Sequence, residues 1–255
     1  MERSIKTLSG PSWPGLRYFS TLRQGGYSQG GWQGLNLGEH CGDQPQHVAQ
    51  NRELLYGHLP SVPHWLQQVH GTGVYQARRP LEQAHHWDQA PIADAAWTTC
   101  PKTVIAVLTA DCLPVVITND QATIVGVAHA GWRGLVNGVV ENLFYQMQTQ
   151  APATSHWRAW IGPAISQTYF EVGAEVFDAF KSKNTQFERF FITANIKGKY
   201  QADLAGIAAA KLRLIAKNRI TIDLSHACTY GEQAKYYSFR RQPSTGRIAT
   251  LAWLE

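Results

Sequence analysis

Cysteine is scarce in this chain. Four residues, at 41, 100, 112 and 228, are spread over 255 positions, and no two form a CxxC pair. That excludes a disulfide scaffold. The opening residues, MERSIKTLSG, lack the apolar core of a signal peptide. No stretch reaches the roughly 18–20 apolar residues that span a bilayer. Together these absences point to a reducing, cytoplasmic compartment and no membrane partner. Charged residues make up only 16% of the chain. Net charge is +5 and the pI is near 9.0, yet no Lys/Arg run resembles a nucleic-acid tract. The mild basic balance favours small anions such as phosphate, and no nucleic-acid partner is expected. Neither GxxxxGK[ST] nor a strand-flanked GxGxxG is present, so P-loop and Rossmann sites find no support. Internal repeats, low-complexity tracts and linkers are also missing. One domain over residues 1–255 is the expectation.

What is present is apolar residues, 44% of the chain, and one informative stretch from Thr103 to Leu135. Three apolar runs, Thr103 to Ala110, Leu113 to Thr118 and Thr123 to Ala128, read as strands bounded by polar residues. If the last two form a hairpin across a four-residue loop, Asn119 to Ala122, then Thr118 faces Thr123 and Cys112 faces His129. Directly opposed residues share a face, with Cβ atoms roughly 4.5–5.5 Å apart. A thiol and an imidazole so placed form a nucleophile–base pair or share a metal. A one-residue slip would separate them. Gly131 to Gly134 then makes a tight turn into a helix from about Leu135 to Gln148, with Leu135, Val139, Leu143 and Met147 as its core stripe. The N-terminus of that helix, with Arg133, reads as an anion site or as a plain helix start.

Elsewhere, Trp13 and Tyr18 read as anchors. Phe19 to Gly38 is a glycine-rich loop, either irregular surface or a ligand-facing loop with Arg23 and Asn36 as polar contacts. A helix is predicted over Asp43 to Leu59, capped by Asp43, with Pro45 in its first turn. His70 lies in a strand-like segment, His64 to Tyr75. Asp94 in the short run Ile92 to Thr98 reads as a buried acid. Arg158 to Ile165 is predicted as a strand, and residues 173–183 and 200–218 as helices. Ile220 to Thr229 is predicted as a strand that puts His226 and Cys228 on one face. The C-terminal residues 236–255 read as a hairpin with Arg240, Arg241 and Arg247 clustered around it, either binding phosphate or simply capping acidic surface. Strands and helices intermix, which points to an α+β or α/β class.

Five stretches, taken in order, carry a resemblance. They are Asn36-Leu37-Gly38 with Gly42-Asp43 and Asn51-Arg52, QQVHG at 67–71, TADCLPV at 109–115, VAHAGWRG at 127–134, and FRR…TGR at 239–247. Together they resemble the YfiH/YlmD-like family, also called the laccase-domain or multicopper polyphenol oxidase family. The resemblance implies an α+β, single-domain α/β/β/α sandwich with mixed sheets, similar to a cysteine-hydrolase toxin fold. It implies one metal site at His70, Cys112 and His129, held by zinc, with copper as the other metal named for the family. It also implies purine nucleoside phosphorylase activity on adenosine, inosine and methylthioadenosine, and adenosine deaminase activity.

The partners would be a nucleoside and phosphate. Cys112, His129, His70 and Asp111 are the catalytic candidates, with Asp111 orienting a ligand or shuttling a proton. Arg23, Asn36 and Arg133 are the substrate-binding candidates. Two other readings stand beside this one: a Cys112–His129 hydrolase acting on an amide such as a peptidoglycan precursor, and a copper-binding polyphenol oxidase. The chain departs from the family at Ala164, where a cysteine is usual. It also has no HxH motif, which multicopper centres require.

Overall fold

The computed structural model describes residues 4–151 and 156–255. The span 1–255 and the opening MERSIKTLSG therefore include a few positions outside the described residues. In chain order the elements are β1 (Thr7–Leu8), β2 (Leu16–Thr21), α1 (Pro45–Tyr56), β3 (Val74–Gln76), β4 (Ala95–Thr98), β5 (Ile105–Thr109), β6 (Leu113–Asn119), β7 (Val125–Ala130), α2 (Trp132–Asn137) and α3 (Val139–Gln148). They continue with β8 (Trp157–Ile161), β9 (Glu171–Gly173), α4 (Ala174–Lys183), β10 (Phe191–Thr193), β11 (Lys199–Ala202), α5 (Leu204–Ile215), β12 (Ile220–Leu224) and β13 (Ile248–Leu254). The fold is mixed α/β. No helix among the described residues is long and apolar enough to cross a membrane.

Two sheets carry the architecture. The first is antiparallel, in the order β1-β2-β13-β5. The second is mixed, β12-β8-β6-β7-β4-β3, with parallel pairs at its two edges. A small third sheet, β10-β11-β9, lies outside them. Strand alternation explains the layers. On β6, Val116 joins Val107, Ala252 and Trp160 between the sheets, while Val115 and Ile117 face α3 and α5. On β5, Ile105 and Val107 point between the sheets, and Ala106 and Leu108, with Val104 just ahead of the strand, point toward Leu55 of α1. The order is therefore helix, sheet, sheet, helices. Strands buried on both faces read as continuous apolar runs, which is how 103–128 appears in the sequence. Gly126 on β7 lets α3 approach, since a Cβ there would stand 2.6 Å from Met147 Sδ.

Several elements differ from expectation. The hairpin loop has five residues, not four, because β6 runs on to Asn119, and the Asn119 side chain bonds Thr123 N and Oγ1. Thr118 pairs Val125 and His129 pairs Pro114, a slip of two residues. An even slip preserves the face, so Cys112 and His129 still point the same way although they do not pair. The first helix starts at Pro45, and Asp43 does not cap it from its side chain; that carboxylate accepts from Ser28 and Asn36. Gly138, at φ 98°, breaks the 135–148 helix into α2 and α3. The segment 64–73 is loop, with His70 at φ 58°. His226, at φ 53°, falls beyond β12, so no His226/Cys228 strand face exists. The first half of the C-terminal hairpin is a series of turns, and only β13 is a strand.

Candidate metal centre and active site

The chain leaves the first sheet at Thr109 and enters the second at Leu113. Ala110, Asp111 and Cys112 make the crossing, so Cys112 stands where the two sheets meet. Asp111 takes a left-handed backbone, φ 86°, an uncommon state for a residue with a side chain. Its carboxylate secures that turn by accepting from Thr229 Oγ1 at 2.6 Å, Ser238 Oγ at 3.0 Å and Arg240 N–H at 2.7 Å. The acid expected beside the chemistry thus has its acceptor sites engaged by the C-terminal segment.

Asp94 is the residue that the sequence marks as buried without assigning it a partner. It is fully buried, one residue ahead of β4. Its carboxylate accepts three successive backbone N–H groups, from Val69 at 3.2 Å, His70 at 2.9 Å and Gly71 at 2.7 Å. It also accepts from His129 Nδ1 at 2.8 Å. One side chain therefore holds the left-handed backbone at His70 and the ring of His129. With Nδ1 so engaged, His129 turns Nε2 to the centre. His70 Nε2 lies 3.8 Å from Cys112 Sγ, and the two imidazoles meet edge to face at 4.7 Å between centroids. The three ligand atoms lie within 4.8 Å of one another.

Electrostatics follow from this packing. Burial disfavours charge on both Cys112 and His129, but each stabilises the other's charged form. The Cys112 thiol is brought down to about 6 by the His129 charge and by hydrogen bonds from His129 and His70, against burial. His129 is raised to about 9 against burial, by the Cys112 charge and the Asp94 bond. Burial also opposes Asp94 ionisation, yet the bonds from His129, Gly71 and Val69 keep its carboxyl below the ordinary value. Metal-free protein at neutral pH therefore holds a thiolate–imidazolium pair. Its iodoacetamide alkylation at Cys112 should rise with pH around a midpoint near 6, since only the thiolate reacts. Site-resolved mass spectrometry of chelator-treated protein checks this. A midpoint at about 8.5, the free-thiol value, would sink the pairing.

The three side chains fit a borderline-soft ion. Two imidazole nitrogens and a thiolate are a zinc-type donor set, and three protein ligands leave a position for a reactant. The carboxylate behind His129 is the partner such a ligand requires. Gly131 completes the cradle: a Cβ there would meet His70 Cδ2 at 2.9 Å and Cys112 Sγ at 3.0 Å. Among the described residues this is the single His/Cys/acid group able to hold a metal. That arrangement does not match a multicopper centre.

The trio opens on a cavity of about 310 Å³. Trp132, Phe170 and Phe239 give it aromatic walls, and His40, Arg240 and Arg247 polar ones. None of the three substrate-binding candidates is among its lining residues. Arg23 donates to Gln33 O and Gln233 O, and lies over the Tyr237 ring. Asn36 is buried, bonded to Asp43, Gly38 N–H and Arg247 N–H. Arg133 is exposed, stacked on Trp132 at 4.4 Å, on a helix of six residues. The glycine-rich loop is tied down by Asn51 and Arg52 from α1, which bond Asn36 O and Leu37 O. From that loop, Asn36 reaches the cavity wall only through the Arg247 N–H.

Comparison with known proteins agrees with this geometry. Residues 17–255 match the family described as multi-copper polyphenol oxidoreductase laccase. A protein of Escherichia coli named purine nucleoside phosphorylase YfiH is 41% identical over 96% of this chain and 97% of its own. A purine nucleoside phosphorylase of Pseudomonas aeruginosa is 37% identical over 96% and 97%. Among solved structures, a Neisseria meningitidis protein superposes with TM-score 0.88 at 37% identity, covering 99% of each chain. YlmD from Geobacillus stearothermophilus gives 0.86 at 26% identity, covering 100% of this chain and 97% of its own. The chain belongs to the laccase-domain family of YfiH-like proteins, whose curated members named here are purine nucleoside phosphorylases.

Proposed function

We propose that this protein is a zinc-dependent purine nucleoside phosphorylase working as one domain in the cytoplasm. Its substrates are adenosine, inosine and methylthioadenosine, and it deaminates adenosine at the same site. The carrying observation is the His70–Cys112–His129 group opening on a cavity with aromatic and cationic walls. Relatives named purine nucleoside phosphorylase at 37–41% identity support it.

In phosphorolysis a phosphate oxygen bonds to C1′ of the ribose while the glycosidic C–N bond breaks. The electron pair leaves with the purine, which then takes a proton. Trp132, Phe170 and Phe239 offer faces on which a purine packs. Asp94 fixes the His129 ring so that Nε2 is held at one point. Zinc held by His70, Cys112 and His129 would supply Lewis acidity. Deamination exchanges the amine at C6 for water and yields inosine and ammonia.

A product assay on adenosine and inosine, with and without phosphate, is the test. Free base and ribose 1-phosphate should form only with phosphate, and inosine should form from adenosine without it. If neither appears, the purine reading fails. About one zinc per chain is expected by elemental analysis, and its loss in His70→Ala.

One observation favours a second reading. Asp94, His129 and Cys112 form a carboxylate–imidazole–thiol relay like that of cysteine hydrolases. Such a relay would attack an amide carbonyl. Full activity in metal-free protein would select it.

A further inference from the structure

Among the described residues the cavity is lined by two arginines, and neither is ion-paired to a carboxylate. Arg247 lines it from the turn just before β13. One of its guanidinium nitrogens, Nη1, donates to the main-chain oxygens of Thr245 and Gly246, and its backbone N–H is fixed by Asn36 Oδ1. Arg240 lines the cavity from the turn that Asp111 secures. Its Nη1 donates to Glu171 O, and its guanidinium rests over the Phe170 ring at 5.3 Å. Among the described residues neither makes an ion pair. The one acid lining the cavity among the described residues, Asp111, has both oxygens bonded to Thr229, Ser238 and the Arg240 backbone. His40 on the same wall adds no charge at neutral pH: burial, then the neighbouring Arg247 and Arg52 charges, hold it down to about 4.

Both guanidinium groups are thus aimed by main-chain carbonyls, which orient a cation without neutralising it. Each keeps N–H donors for a further acceptor, and a fork of donors matches a tetrahedral oxyanion. We propose that Arg240 and Arg247 form the phosphate subsite of this cavity, binding the dianion that attacks C1′. This rests on the phosphorolytic reading for its chemistry, while the binding itself stands on the arginines alone. Gly38 belongs to the same device. A Cβ there would stand 2.8 Å from Arg247 Cγ, so only glycine lets the arginine lie where it does.

The experiment titrates inorganic phosphate into metal-loaded protein by calorimetry, with no nucleoside present, and in parallel measures KM for phosphate and for inosine. Arg247→Gln and Arg240→Gln should each weaken phosphate binding and raise its KM by about tenfold or more, because each removes a charge-assisted hydrogen bond. KM for inosine should move far less. Gly38→Ala should shift phosphate affinity in the same direction with both charges retained. Phosphate loss in Arg23→Gln or Arg133→Gln, with Arg247→Gln binding as the parent does, overturns the subsite. Arginine-dependent phosphate binding in a protein that yields no ribose 1-phosphate keeps the subsite and removes the phosphorylase reading. Adenosine 5′-monophosphate is the second probe. If it binds more tightly than phosphate with the same need for Arg247, the subsite stands and its oxyanion belongs to a nucleotide.

Discussion

A Cys112→Ala protein is expected to emerge from purification without its metal and to turn over at least about 10³-fold more slowly. It should still melt close to the parent temperature. Cys112 lies in the crossing between two sheets, and the turn there is secured by the Asp111 carboxylate rather than by the thiol. Alanine fits that position without strain. What it removes is the single sulfur of the centre and the anion that holds His129 protonated in the metal-free state. Elemental analysis, a melting curve and the phosphorolysis assay on one preparation separate these effects. Retained turnover without the thiol would refute both the metal reading and the hydrolase reading, since each needs that sulfur.

Asp94→Asn is expected to weaken zinc binding by about 10–100-fold, the usual effect of removing a partner from behind a metal-bound histidine. It should also cost about 2–4 kcal/mol of stability, since a buried charge-assisted network is broken. The carboxylate offers Oδ1 to His70 N–H and His129 Nδ1, and Oδ2 to Val69 N–H and Gly71 N–H. An amide has one oxygen. Whichever pair it serves, its NH₂ confronts the donors of the other. If it keeps the two loop amides, His129 must present a bare Nδ1 and carry its proton on Nε2, where the metal would bind. Zinc competition with a chromophoric chelator and urea unfolding read the two effects. Parent-like values in both would remove Asp94 from its place behind the centre. The sign of the pH effect follows from the depressed Asp94 pKa. Its stabilising contribution is complete above the ordinary carboxylate range and fades as the pH falls below it.

Parts of this site were readable in the sequence and parts were not, for different physical reasons. Cys112 and His129 were legible because strand alternation is a parity rule. The hairpin register was off by two residues, yet two is even, and the shared face survived. His70 emerged only from family resemblance, since nothing in a loop backbone at φ 58° has a period. Asp94 was legible as a buried acid inside an apolar run. Its partners lie 23 to 35 residues away and could not be assigned. Arg23, Asn36 and Arg133 sit in conspicuous glycine-rich motifs, but there the glycines serve packing. Arg240 and Arg247 were legible as part of a basic cluster open to phosphate or to acidic surface, but a cluster around turns does not say which of its members face the cavity. The central strands themselves were better recorded, because a strand buried on both faces leaves an unbroken apolar run; their layering came from the family resemblance.

β13 lies between β2 and β5, so the middle of the first sheet is built by residues 248–254. β2 and β5 do not pair with each other; each pairs with β13. As the chain emerges from a ribosome, both must wait with open edges until residue 254 is free. The second sheet has no such dependence, since β3, β4, β6, β7, β8 and β12 all precede β13. Arg240 and Arg247 enter with the same late segment. His70 and His129, both held by Asp94, can therefore take position on a partly folded chain, whereas the bonds that secure the turn ahead of Cys112 and the arginine wall arrive only with the C-terminal segment. Folding of this kind, dominated by pairings distant in sequence, is slow. Unpaired edges during the wait are where such a chain is most prone to associate with its neighbours.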